Sequence, residues 1–137
     1  MSKIWGYILD APGRPKAEDQ RRALALLGAD TGELGTVWRD KIKRGSTRPR
    51  HQLLEREALL AAMQPGDALA VAAPFCLGLS GKDAGWFLTA LAEGGVSVIV
   101  SDGIERIEPG ADTSDLVKRV ASAQLEPSIV PAPVSVT

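Results

Sequence analysis

The sequence predicts an α/β fold: a single three-layer domain built on a mostly parallel sheet of four to five strands, followed by an extended C-terminal arm. Two observations lead there. Short apolar runs rich in β-formers alternate with helical patterns roughly a dozen residues long, and that alternation is the signature of βαβ units. The length, 137 residues, suits one domain with one core.

The elements follow in order. KIWGYIL (3–9) is a compact apolar run and reads as the first strand. PKAEDQRRALALLG (15–28) then has helical spacing through Ala17, Gln20, Leu24 and Leu27, with Pro15 near its first turn and Gly28 just past its end. GTVWRD (35–40) is a second strand, QLLEREALLAAM (52–63) a second helix, and DALAVAAP (67–74) a third strand announced by Pro65 and Gly66. SGKD (80–83) has capping-box spacing: Ser80 can accept from an orphan backbone donor and Asp83 can reach back, ahead of the helix AGWFLTALAEGG. VSVIVSDG is the fourth strand. The last helical pattern, SDLVKRVASAQL (114–125), is expected to stop before Pro127. That divides the chain into an α/β domain over 1–126 and a proline-rich arm over 127–137, PSIVPAPVSVT.

Composition narrows the function classes. Hydrophobic residues make up 45%, charged residues 24%, and the net charge is −1, so nothing global favours nucleic acid or membrane. The apolar runs are short and the N-terminus has no basic segment followed by an apolar core, so a cytoplasmic protein is expected, with no membrane partner. Cys76 is the single cysteine; it has no disulfide partner and no Cys/His companions at metal-ligand spacing, so no metal is expected.

In a sheet of this kind, chemistry gathers at the carboxyl ends of the strands. The segments there are LDAPGR, RDKIKRGSTRPRH, APFCLGLSGKD and SDGIERIEPG. Tyr7-Ile8-Leu9-Asp10-Ala11-Pro12 ends the first strand, and Gln20-Arg21-Arg22-Ala23-Leu24 runs along the first helix beginning nine residues after Ala11. Asp40 ends the second strand, Arg48-Pro49 lies in a basic loop, and Gly66-Asp67 leads into the third strand. Pro74 to Asp83 reads Pro-Phe-Cys-Leu-Gly-Leu-Ser-Gly-Lys-Asp, and Gly95-Val96 and Asp102-Gly103-Ile104 flank the fourth strand. In this order and spacing the chain resembles the catalytic domain of the serine recombinases, the resolvase and invertase family, over residues 1 to about 126.

The resemblance implies a resolvase-like fold and marks where the chemistry is lost. The family attacks a DNA phosphodiester with a serine and neutralises the transition state with arginines. Ala11 stands at the nucleophile position and has no atom that can attack phosphorus. Leu9 stands for the strand-end arginine, Phe75 for an aspartate, and Cys76 and Leu79 for two further arginines. Removing one such donor typically costs about 100-fold in rate. No catalytic residue is therefore assigned, and the chain is expected to be a non-enzyme.

Substitutes fare poorly. Asp10 would repel the phosphate it must approach, and Cys76, among alanine, phenylalanine and leucine, is expected to be an inert buried thiol. Ser80 is explained as a helix cap, and His51, the only histidine, as an exposed bystander. GLSGKD fails the phosphate-loop pattern at Cys76 and Asp83, and GADTGELG (28–35) leads into a strand instead of opening a helix. No cofactor or small-molecule substrate is expected.

One segment suggests a partner. RDKIKRGSTRPR (39–50) sets Arg39, Lys41, Lys43, Arg44, Arg48 and Arg50 against Asp40, a local charge of +5 that leaves −6 on the rest. These six cations are the candidates for phosphate or nucleic-acid contact, against the plainer reading of a solvated loop. Trp5, Trp38 and Trp86 do not interleave with them and are expected in or beside the core. From this sequence, no counterpart of the family's long dimerisation helix and DNA-reading domain is expected beyond SDLVKRVASAQLE. The expectation is an interaction or assembly module, a part of a phage-like particle, a subunit pairing with an active recombinase, or a regulator. The alternative is a non-cleaving DNA-binding accessory acting through 39–50. The arm EPSIVPAPVSVT is compatible with adding a strand to another subunit's sheet.

Overall fold

The computed structural model describes residues 3–32, 35–42, 53–101 and 104–129. The strands are β1 (Ile4–Asp10), β2 (Val37–Lys41), β3 (Ala68–Val71), β4 (Ser97–Val100) and β5 (Glu105–Ile107), and the helices are α1 (Ala17–Leu26), α2 (Leu54–Ala62), α3 (Gly81–Glu93) and α4 (Ser114–Ile129). A 3-10 turn at Pro74–Cys76 links β3 to α3. The sheet runs β2-β1-β3-β4-β5, with β5 alone antiparallel.

Strand alternation sorts the core into two layers. Trp5, Tyr7, Leu9, Leu69, Val71, Val98 and Val100 face α2, α3 and α4, meeting Leu59, Phe87, Leu91 and Val120. Ile8, Ala68, Ala70 and Ile99 face the other way and meet Leu24 of α1, with Leu27 packed alongside. Helices on both faces make the three layers. Gly6 permits α1 to lie close, because a Cβ there would come within 2.9 Å of Leu24 and Val37 side-chain atoms.

Two expectations change. SDGIERIEPG contributes a strand of its own, β5, which pairs back on β4 through Val98↔Ile107 and Val100↔Glu105. Three residues are too few for a period-2 pattern to stand out, and the close return of the chain supplies the pairing that propensity does not. The last helix does not stop before Pro127 but continues to Ile129. A proline lacks the N–H for one intrahelical bond, and here only the final residues of the helix lie beyond it. The rest of the expected arm, 130–137, lies outside the described residues.

Trp5 is buried and meets Trp38 edge-on, with ring centroids 6.4 Å apart. Its indole Nε1 donates to Asp67 at 2.9 Å, and the same carboxylate accepts from the N–H groups of Lys3 and Gln64, also at 2.9 Å. Burial alone would raise the Asp67 pKa, but those donors outweigh it and hold the group below the usual carboxylate range.

Candidate functional site

The chain leaves β1 toward β2, then crosses back to β3 and β4, so the strand order reverses between β1 and β3. The crevice at the carboxyl ends of those strands is where sheets of this type hold ligands. Here β1 and β3 pair only at Ile4↔Ala68, Trp5↔Leu69 and Gly6↔Ala70, and beyond Gly6 the ladder is open. Leu9 directs its backbone groups to that gap, and Gln20 of α1 fills it. Gln20 Oε1 accepts from the Leu9 N–H at 3.1 Å, while Nε2 donates to the Leu9 carbonyl at 2.9 Å and the Pro15 carbonyl at 2.8 Å.

Five of the positions singled out from sequence lie at this end of the sheet. Leu9, Ala11 and Cys76 are buried in one apolar cluster, with Phe75 and Leu79 partly buried against it. Ala11 is enclosed at 9% exposure. Burial pushes the Cys76 thiol up to about 11, against the lowering influences of a backbone hydrogen bond and of Arg14. That agrees with an inert thiol. Asp10, the other substitute, projects to the α1 face beside Arg39, whose guanidinium stands 3.6 Å away. One residue along a strand reverses the side-chain direction, so Asp10 and Cys76 lie on opposite faces of the sheet.

A residue not singled out from sequence occupies the crevice. Arg14 follows the Pro12-Gly13 turn, where Gly13 takes φ +81 and the Arg14 N–H returns to the Ala11 carbonyl at 3.2 Å. Its Nε donates to the Phe75 carbonyl at 3.0 Å, Nη1 to Pro12 at 3.0 Å and Nη2 to Gly78 at 2.7 Å. Partial burial lowers its pKa, and it remains a cation. Arg14 thus ties the loop after β1 to the turn after β3. A proline-glycine exit followed by arginine at a strand end was the available signal.

Helix N-termini beside such crevices can hold anions, and here the chain's own carboxylates take that role. Asp40, buried at the end of β2, accepts from the N–H groups of Glu55 at 3.0 Å and Arg56 at 2.9 Å, serving as the cap that Leu53 cannot provide. It also accepts from the Tyr7 hydroxyl at 2.8 Å. Burial, then the Asp40 charge, holds the Tyr7 pKa far above its ordinary value, so this hydroxyl stays a neutral donor.

At α3, Ser80 accepts from the Asp83 N–H at 3.1 Å, as the capping pattern predicts. Asp83 reaches back one residue further than expected, to the Leu79 N–H at 2.9 Å. Its two oxygens also take a fork from the fully buried Arg56, at 2.8 and 2.9 Å. Arg56 donates to the Leu77 carbonyl at 3.2 Å and stacks on Phe87 and Trp86. Sequence reading placed Arg56 within a helix and missed this pairing, because nothing in the spacing connects it to Asp83.

The basic segment is described only at its start. Arg39 and Lys41 are exposed on β2; Lys43, Arg44, Arg48, Arg50 and His51 lie outside the described residues. Among the described residues there is no group of three or more His, Cys, Asp or Glu placed to hold a metal, and no helix long and apolar enough to cross a membrane. Across the GADTGELG segment, of which 33 and 34 lie outside the described residues, Asp30 and Thr36 exchange hydrogen bonds ahead of β2. No family model matches the chain, and no curated protein matches it.

Proposed function

We propose that this chain is a catalytically inactive, serine-recombinase-like domain that acts as a protein-interaction or structural assembly module, in the cytoplasm or incorporated in a phage-like particle. The observation that carries the reading is the occupation of the β1/β3 crevice. Ala11 is buried there among Leu9 and Cys76, and the Arg14 guanidinium is directed at three backbone carbonyls. With Asp40 and Asp83 on the α2 and α3 N-termini, the groups that would handle a phosphate are engaged with the chain itself. The strand order β2-β1-β3-β4-β5 also supports a resolvase-like domain.

Isolation of the tagged chain from its native source, with half of the sample treated with nuclease, tests the reading. Protein partners should remain after nuclease, and no covalent adduct should form on a nicked DNA substrate. An adduct would overturn the inactive assignment.

A second reading, a non-cleaving DNA-binding accessory or regulator of recombination, draws on the exposure of Arg39 and Lys41 at the start of the +5 segment. It predicts sequence-tolerant binding that falls steeply with salt and is lost when Lys43, Arg44 and Arg48 become alanine. Loss of all recovered material with nuclease would favour it.

A further inference from the structure

Strand β2 forms one edge of the sheet. In a parallel ladder each residue directs both main-chain groups to one neighbour, and the next residue directs them to the other side. Gly6 N–H donates to the Thr36 carbonyl and Ile42 N–H to the Asp10 carbonyl, both at 2.9 Å, so Thr36, Trp38, Asp40 and Ile42 face β1. Val37, Arg39 and Lys41 therefore direct their N–H and C=O groups outward, and among the described residues no strand pairs with that side.

The same strand carries its exposed positive charge at alternate positions. Arg39 and Lys41 are both exposed and stand two residues apart, about 7 Å along the strand. Arg39 is engaged by Asp10 at 3.6 Å with its side chain 43% exposed, a contact that contributes little in water. Two copies of this edge would oppose like charges, which discourages self-pairing. A strand with carboxylates at alternate positions meets the opposite situation.

We propose that the outer edge of β2 docks an extended acidic segment of a partner protein, which adds as a sixth strand. Its main chain pairs with Val37, Arg39 and Lys41, and two of its carboxylates, two residues apart, pair with the Arg39 and Lys41 side chains. A nucleic acid could meet the cations but would leave the alternating N–H and C=O row unused. The proposal rests on reading the chain as an interaction module.

The test titrates the isotope-labelled full chain with a blocked peptide of about seven residues alternating valine and glutamate, long enough to span β2. A peptide of the same composition with contiguous glutamates and a single-stranded oligothymidine serve as comparisons. Saturable binding of the alternating peptide is expected, with slowed amide exchange at Val37, Arg39 and Lys41. Arg39→Glu with Lys41→Glu should weaken it about tenfold or more while leaving thermal stability intact.

Equal binding of both peptides with unchanged exchange at those amides would reduce the contact to surface charge and overturn the proposal. Preferential binding of oligothymidine would assign the edge to nucleic acid. If the double variant retains the protein partners recovered from the native source, the edge proposal fails and the assembly reading stands. If no protein partner survives nuclease, the assembly reading itself fails.

Discussion

Gln20 holds Leu9 by both of its backbone groups, Oε1 accepting at 3.1 Å and Nε2 donating at 2.9 Å, so that one side-chain amide stands in for a missing strand. Both residues are fully buried. Gln20→Ala would leave a buried N–H and a buried carbonyl without partners, at a cost of about 2–4 kcal/mol. Gln20→Glu keeps the shape but sets a carboxylate against the Leu9 carbonyl and should be at least as damaging near neutral pH. Urea unfolding of the two variants checks this; a cost within error of zero for Gln20→Ala would mean that water or a relaxed β3 replaces the amide.

Asp40 joins three elements through the Tyr7 hydroxyl and the first N–H groups of α2. Tyr7→Phe removes one of those bonds and should cost about 1 kcal/mol, whereas Asp40→Ala strips the cap as well and should cost about 2–4 kcal/mol. The two should be non-additive in a double-mutant cycle, since Tyr7→Phe has little left to lose once Asp40 is gone. Additive costs would show that the hydroxyl finds another acceptor.

Arg56 and Asp83 form a buried fork, with exposures of 1% and 8%. Asp83→Ala, which strands a buried guanidinium, should destabilise by about 3–5 kcal/mol, while the paired change Arg56→Met with Asp83→Leu should recover much of that loss. Thermal and chemical unfolding of both variants decide it. A double variant no better than the single one would show that Asp83's hold on the Leu79 N–H matters more than its pairing with Arg56.

Cys76 gives the pH prediction. Its folded pKa is raised to about 11 from an ordinary value of 9.0. A group raised in this way favours the folded state while protonated, so its contribution is complete below pH 9 and declines as pH rises toward 11. At pH 8 only about one thiol in a thousand is ionised. A thiol reagent should therefore label the native chain no faster than it opens, with rapid labelling only in denaturant. Fast native labelling at pH 8 would contradict the burial.

The strands and helices that could be read in advance are those with a full apolar face. KIWGYIL and DALAVAAP announce β1 and β3 because burial on both faces leaves continuous apolar runs. The capping role of Ser80 was legible because it is local, three residues from Asp83. What escaped depends on tertiary contacts: Arg14 with Phe75 and Gly78 and Arg56 with Asp83, both distant in sequence, and β5, too short to carry a pattern and defined by its return onto β4. The apolar surroundings of Ala11 could be expected from residue types, but Arg14 lodged beside them could not. Charge runs announce themselves too, yet only the position of Arg39 and Lys41 on an edge strand distinguishes a pairing surface from a solvated loop.

The short β1–β3 pairing has a mechanical corollary. Three register pairs, Ile4↔Ala68 to Gly6↔Ala70, join the β2-β1 ribbon to the β3-β4-β5 ribbon by main-chain bonds. Above them no ladder bond joins the ribbons: Gln20 satisfies Leu9 from α1, and the Arg14 side chain ties the loop after β1 to the carbonyls of Phe75 and Gly78. A load applied at β2 reaches the rest of the domain through this narrow seam and through Asp40's hold on the start of α2. Between the upper ends of the two ribbons, stiffness therefore comes from side chains and from the helices packed across both, with no ladder bond contributing.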